Sequence, residues 1–194
     1  MIDALLRESG LALSALDGVA FGAGPGSFTG LRIASGVAQG LAFGAGVPVL
    51  PVGTLEALAE ASGAQSAITA LDARMDEIYH AAYVRLGEGW HEVHAPSLCA
   101  PGEAPLAEGS GWTGCGNAFA VHAGILRARY ADAMDTIRAE LVPHARDIAS
   151  IGARGLAAGR GLDPALAVPV YVRDKVALSV AERAARRQAA QARS

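Results

Sequence analysis

The sequence predicts an α/β protein with a mixed sheet flanked by helices. Three observations carry that expectation. Short apolar runs at residues 19–21, 49–52 and 66–71 alternate with stretches of helical periodicity. Turns rich in glycine and proline separate them, with 24 Gly and 9 Pro in 194 residues. Hydrophobic residues make up 52% and charged residues 18%, the balance of a chain that buries a core rather than one that stays disordered.

The elements follow in order. The first residues, from Met1 through Leu6, open a helix with Leu5, Leu6 and Leu11 or Leu13 on its apolar side. Residues 18–22 read as a buried strand that runs into Gly24-Pro25-Gly26-Ser27-Phe28-Thr29-Gly30. There Pro25 fixes one backbone angle, and Gly24 and Gly26 are free to take positive φ. Ser27 or Thr29 caps the helix that follows, which runs to about Phe43 and stops at Gly44. Leu31, Ala34, Ala38, Leu41 and Ala42 line its core face, while Gly36, Gly40 and Gly44 fall four apart on another. An interior glycine costs about 1 kcal/mol against alanine in a helix. The ridge therefore predicts close approach of another backbone, either this protein's own sheet or a partner's helix.

Residues 47–52 form a second strand, and Thr54 caps a helix that turns Leu55, Leu58 and Ala59 inward. Residues 66–71 read as a central strand, 72–76 as a turn, and 77–86 and 90–98 as an antiparallel pair about Gly87-Glu88-Gly89. Residues 96–111 are a loop, 112–116 a short strand and 118–130 a helix. A helix over 147–159, capped by Asp147, and a last strand over 169–173 complete the chain. A looser lobe begins at about Asp76.

Phosphate chemistry is the first thing a strand, a glycine turn and a helix bring to mind. A Walker loop needs Lys and then Ser or Thr, but Gly30 is followed by Leu31 and Arg32. A dinucleotide fingerprint needs Gly-x-Gly-x-x-Gly and an acid on the next strand, and neither is present. Ser27 and Thr29 lack the Gly-x-Ser-x-Gly elbow of a nucleophile. His91, Glu92 and His94 superficially resemble metal ligands, but the two histidines lie three apart on a strand and face opposite sides. Asp72 and Arg74 flank the turn after the central strand, where α/β active sites often lie. They are the candidate polar site. The simpler reading has Asp72 bonding the turn backbone and Arg74 pairing with it or with Glu77. The residues supply no complete catalytic constellation and no metal site.

The run Gly24 to Ala42, with PVLPVGTLEALA after it, resembles the TsaB (YeaZ) family of bacterial tRNA threonylcarbamoyladenosine biosynthesis proteins. LDARMDEIYHAAY (71–83) resembles the family's second signature and PVYVRDKVAL (169–178) its C-terminal one. Asp76 stands where glycine is common, a position at the hairpin turn where aspartate is also acceptable. The resemblance implies an ASKHA (ribonuclease-H-like) fold that is N-terminally truncated relative to the family, because the chain opens on the helix that follows the usual first strands. The expectation is that the natural protein is longer. The implied organisation is a partner-binding ribonuclease-H-like lobe at 1–75, a C-terminal lobe at 76–178 and a basic, Ala-rich tail at 179–194.

The resemblance further implies a non-catalytic scaffold that activates a TsaD-like ASKHA subunit. A TsaE-like ATPase is a further partner, and a homodimer forms when TsaD is absent. TsaD carries a His-x-x-x-His motif; this sequence has none, and His80, His122 and His144 are isolated. The partner interface expected on this reading comprises Gly24, Phe28, Thr29, Gly30, Arg32, Gly36 and Gly40. No cofactor is implied beyond weak nucleotide binding at the complex interface. A nucleotide-binding ASKHA hydrolase and a peptidase are the alternative classes.

The net charge of −3 disfavours strong direct RNA binding, so tRNA is expected only as an indirect partner. The one basic cluster is Arg183, Arg186, Arg187 and Arg193 in the tail. No apolar run reaches the roughly 18 to 20 residues of a membrane span. With no secretory signal, Cys99 and Cys115 read as free thiols of a cytoplasmic protein.

Overall fold

The computed structural model describes residues 2–172. It is a mixed α/β structure with two sheets. Strands β1 (Val19–Gly24) and β2 (Val49–Gly53) pair in parallel. The second sheet has the order β5-β4-β3-β6-β7, from β3 (Ser66–Arg74), β4 (Glu77–Leu86), β5 (Gly89–Cys99), β6 (Trp112–Cys115) and β7 (Met134–Arg138). Its β3–β4 and β4–β5 ladders are antiparallel, and β3–β6 and β6–β7 are parallel. The expected boundary at residue 76 falls in the β3–β4 turn, and the strands on either side pair from Ser66↔Val84 to Arg74↔Glu77.

Strand alternation puts helices on both faces. Phe21, Ala23 and Val49 form one small core with Ala38 and Ala42 of α2 (Phe28–Ala45). The opposite face, with Leu50 and Val52, packs on Ile151 of α6 (Ala145–Ala157). Leu55 and Leu58 of α3 (Thr54–Ser62) cover Ala67, Ala81 and Tyr83 of the larger sheet. Its other face buries Ile68, Ile78 and Ala82 against Phe119 of α4 (Ala118–Val121) and Leu126 of α5 (Ala123–Arg129).

Several boundaries differ from the sequence expectation, each for a local reason. Helix α1 (Ile2–Ser9) ends before Gly10, at φ +69, so Leu11 and Leu13 lie outside it and Leu5 is 59% exposed. Helix α2 continues through Gly44 and stops at Gly46, which takes the left-handed conformation that a helix end favours. Gly53, not Thr54, precedes α3, with no side-chain cap. Strand β5 extends to Cys99, and a 3₁₀ turn at Pro101–Glu103 occupies part of the expected loop. The helix expected over 118–130 breaks at His122, whose φ −115 and ψ 35 are not helical. Helix α6 begins at Ala145 after His144, so Asp147 lies buried in its first turn instead of capping it. Residues 169–172 belong to no strand, although the Val170 N–H donates to the Ala23 carbonyl at 2.8 Å. Arg173, the remainder of the C-terminal signature and the tail arginines lie outside the described residues.

Strand β7 was not anticipated. Asp135 and Thr136 are exposed on this five-residue edge strand, so it carries no apolar run. Pairing with β6 creates it.

Candidate partner interface

The glycine turn joins β1 to α2. Gly24 sits at φ +121, and a Cβ there would lie 2.6 Å from the Val170 carbonyl oxygen, so only glycine fits. Ser27 is the helix cap, its hydroxyl accepting from the Gly30 N–H at 3.4 Å. Of the seven interface candidates, Gly24 is buried, and Phe28, Thr29, Gly30, Arg32, Gly36 and Gly40 are exposed on α2.

The glycine ridge does not face the protein's own sheet. Among the described residues, nothing lies within 4 Å of a Cβ added at positions 36, 40 or 44. Around them Ile33 is 61%, Val37 44% and Phe43 59% exposed. The buried stripe is instead Leu31, Ser35, Ala38 and Ala42, with Ala34 and Leu41 half-buried. Serine 35 enters the core because its hydroxyl donates to the Ala167 carbonyl.

Beside the helix start lies a cleft of about 220 Å³, lined by Pro25, Phe28 and Leu31 on one side and Arg74 and Tyr79 on the other. A neighbouring cleft of about 390 Å³ reaches Ser27, Asp72 and Asn117. The fold thus brings the glycine turn and the Asp72/Arg74 turn together. The side chain of Asp72 is buried and that of Arg74 is exposed; they pair at 3.2 Å. The Asp72 carboxylate also accepts from the Arg74 backbone N–H at 3.0 Å. Arg74, Met75 and Asp76 all have positive φ, at 63°, 57° and 58°. Aspartate tolerates that conformation better than most residues, which accounts for Asp76 at a glycine-like position. The Asn117 side-chain carbonyl accepts from the Asp72 N–H at 3.0 Å, and His122 Nε2 lies 3.6 Å from its carboxylate. Neither residue was legible as part of this site, because only the pairing of β3 with β6 brings them near.

Two further polar groups, one half-buried and one fully buried, lie away from this turn and carry no sequence signal. Glu60 on α3 accepts from Arg85 at 3.0 Å and Trp90 at 2.8 Å, and pairs with Arg154 at 3.0 Å. Burial pushes its carboxyl up, but the bonds from Arg154 and Trp90 outweigh this and hold it below the usual range. His80 is fully buried, and burial, with His94 acting in the same direction, lowers it to about 4. Tyr130 donates its hydroxyl to the Pro105 carbonyl at 2.9 Å, so His80 Nε2, 3.0 Å away, must carry the proton it shares with that hydroxyl. Cys99 and Cys115 are free thiols, both pushed up by burial, Cys115 to about 11. Among the described residues no three His, Cys, Asp or Glu side chains gather as metal ligands, and no helix is long and apolar enough to cross a membrane.

Mixed sheets with helices on both faces, taken with the family and structural matches that follow, place the chain in the ASKHA-type class of α/β domains. The family described as TsaD, tRNA N6-adenosine threonylcarbamoyltransferase, matches residues 1–178. The tRNA threonylcarbamoyladenosine biosynthesis protein TsaB of Escherichia coli is 34% identical, over 91% of this chain and 79% of its own. The protein of the same description from Haemophilus influenzae is 46% identical over 54% of this chain and 49% of its own, so the chain spans about half the length of that relative. YeaZ from Pseudomonas aeruginosa superposes with a TM-score of 0.78 at 38% identity, covering 88% of this chain and 80% of that one. A structure described as an uncharacterized protein with similarity to peptidase YeaZ, from the same organism, gives 0.81 at 37%, covering 89% and 81%. The chain belongs to the TsaB (YeaZ) family of tRNA threonylcarbamoyladenosine biosynthesis proteins.

Proposed function

We propose that this protein is a non-catalytic scaffold subunit of the tRNA N6-threonylcarbamoyladenosine machinery, and that the outer face of α2 binds a TsaD-like subunit. The observation that carries the reading is the open ridge of Gly36 and Gly40 between exposed Ile33, Val37 and Phe43. A flat, apolar helix face that no other described residue covers suits a second helix laid closely against it. The same face forms a homodimer when the TsaD-like subunit is absent. A TsaE-like ATPase joins the assembly, tRNA meets it through the other subunits, and the setting is the cytoplasm.

The test is pairing with the TsaD subunit encoded in the same genome, measured by calorimetry. Gly36→Leu and Gly40→Leu each overfill the ridge and are expected to weaken binding at least about ten-fold, equivalent to about 1.4 kcal/mol. Pairing that survives both changes sinks the assignment. The cleft beside the start of α2 supports a second reading, a nucleotide-binding ASKHA hydrolase. Tight ATP binding by this chain alone would favour it, whereas the scaffold reading expects at most weak binding at the complex interface.

A further inference from the structure

Residues 163–171 run along one flank of α2 and are clipped to it turn by turn. Gln39 Nε2 donates to the Pro164 carbonyl at 3.0 Å, the Ser35 hydroxyl to the Ala167 carbonyl, and Arg32 Nε to the Tyr171 hydroxyl at 3.0 Å. The rings of Phe28 and Tyr171 lie 5.7 Å apart, with the Arg32 guanidinium 4.0 Å from the centre of the Phe28 ring. At the far end the Val170 N–H bonds the Ala23 carbonyl at 2.8 Å.

Helical geometry relates this flank to the partner face. At about 100° per residue, Phe28, Arg32, Ser35 and Gln39 share a sector of about 60°, and Gly36 follows about 40° beyond Arg32. The segment therefore borders the glycine ridge. The inward seat of α2 is thin by comparison, since two of its three buried apolar side chains are the alanines Ala38 and Ala42. Methyl groups resist rotation of a helix about its axis weakly, whereas directional hydrogen bonds to a neighbouring segment resist it well.

We propose that residues 163–171 form a strap that fixes the rotation of α2, which makes Arg32, Ser35 and Gln39 positioning residues for the partner face. The inference rests on the pairing function argued above. It separates two roles on one helix: Gly36 and Gly40 meet the partner, and the neighbouring polar stripe aims them.

The experiment uses the full chain and the TsaD subunit from the same genome. Gln39→Leu keeps the bulk and removes a donor; Tyr171→Phe keeps the ring contact and removes the acceptor of Arg32. Hydrogen exchange of α2 in the free chain, the thermal midpoint and the affinity for the TsaD subunit are measured together. The double variant is expected to exchange faster in α2 and to pair about ten-fold more weakly, the size of effect that two hydrogen bonds support. Gln39→Lys, which restores a donor, is expected to recover most of the loss that Gln39→Leu causes. Wild-type affinity in the double variant overturns the strap. So does a loss that only follows the thermal midpoint, or one that Gln39→Lys leaves unrecovered. If the wild-type chain does not pair, the functional reading falls and the strap's role falls with it. If Gly36→Leu abolishes pairing while the strap variants keep it, only the strap is wrong.

Discussion

Helices α2 and α6 lie on opposite faces of the β1–β2 pair, and both carry interior glycines, to opposite effect. On α6 a Cβ at Gly152 would collide with the Ala20 side chain, and one at Gly155 would stand 2.5 Å from Leu50 Cδ2. On α2 the glycines at 36, 40 and 44 meet no described residue within 4 Å. The glycines of α6 let a helix sit down on a sheet. Those of α2 draw no other described residue close and carry the propensity cost of glycine. A glycine in a helix therefore signals close approach only after one knows which face it lies on and whether anything stands opposite.

The largest expected effect tests the closed side. Gly152→Val forces a branched side chain against Ala20 with no flexible end to yield. The expected loss is about 3 kcal/mol or more in urea unfolding. Ala20→Gly, made in the same chain, removes the opposing methyl and is expected to restore part of it. Tolerance of Gly152→Val within about 0.5 kcal/mol would erase the difference between the two helices.

A second effect, somewhat smaller, comes from the larger sheet, whose interior is as closed as the α6 contact. His80 is held at about 4 against an ordinary 6.5. Its folded-state value is the lower one, so between these limits the unfolded chain takes up a proton that the native chain refuses. The contribution of His80 to stability is level above pH 6.5 and falls as pH drops towards 4, by up to about 3 kcal/mol in total. His80→Gln keeps a neutral donor for the Tyr130 hydroxyl, and its denaturation midpoint is expected to flatten over that window. A wild-type profile that runs parallel to that of His80→Gln there would show that the imidazole is not confined.

The contrast also explains what could be read in advance. Strand and helix existence followed from local pattern: residues 66–71 and 77–86 are apolar and β-rich, and the Gly-Pro-Gly turn announced α2. The β7 edge strand did not follow, because half-exposed Met134–Arg138 becomes a strand only through β6. At the candidate site, the residues on α2 were legible because they share a helix. Asn117 and His122 were not, because a parallel crossover brings them to Asp72. The orientation of the glycine ridge was equally out of reach. Helical spacing gives relative angles around α2 but not which side the sheet takes. Ser35 in the buried stripe shifts that side away from the one that Ala34 and Leu41 implied.

The smallest effect concerns the open side and bears most directly on function. Gly40→Ala adds a methyl where no described residue stands within 4 Å and removes an interior helical glycine. The free chain is expected to gain up to about 1 kcal/mol, a rise of about 2–4 °C in thermal midpoint for a protein of this size. Destabilisation would mean that the ridge is covered within the chain itself, and the comparison with α6 would collapse. A gain in stability accompanied by weaker pairing with the TsaD subunit would sharpen it. The same methyl would then be welcome to the fold and unwelcome to the partner, which is the behaviour expected of a surface whose shape is set by what docks on it rather than by the stability of the free chain.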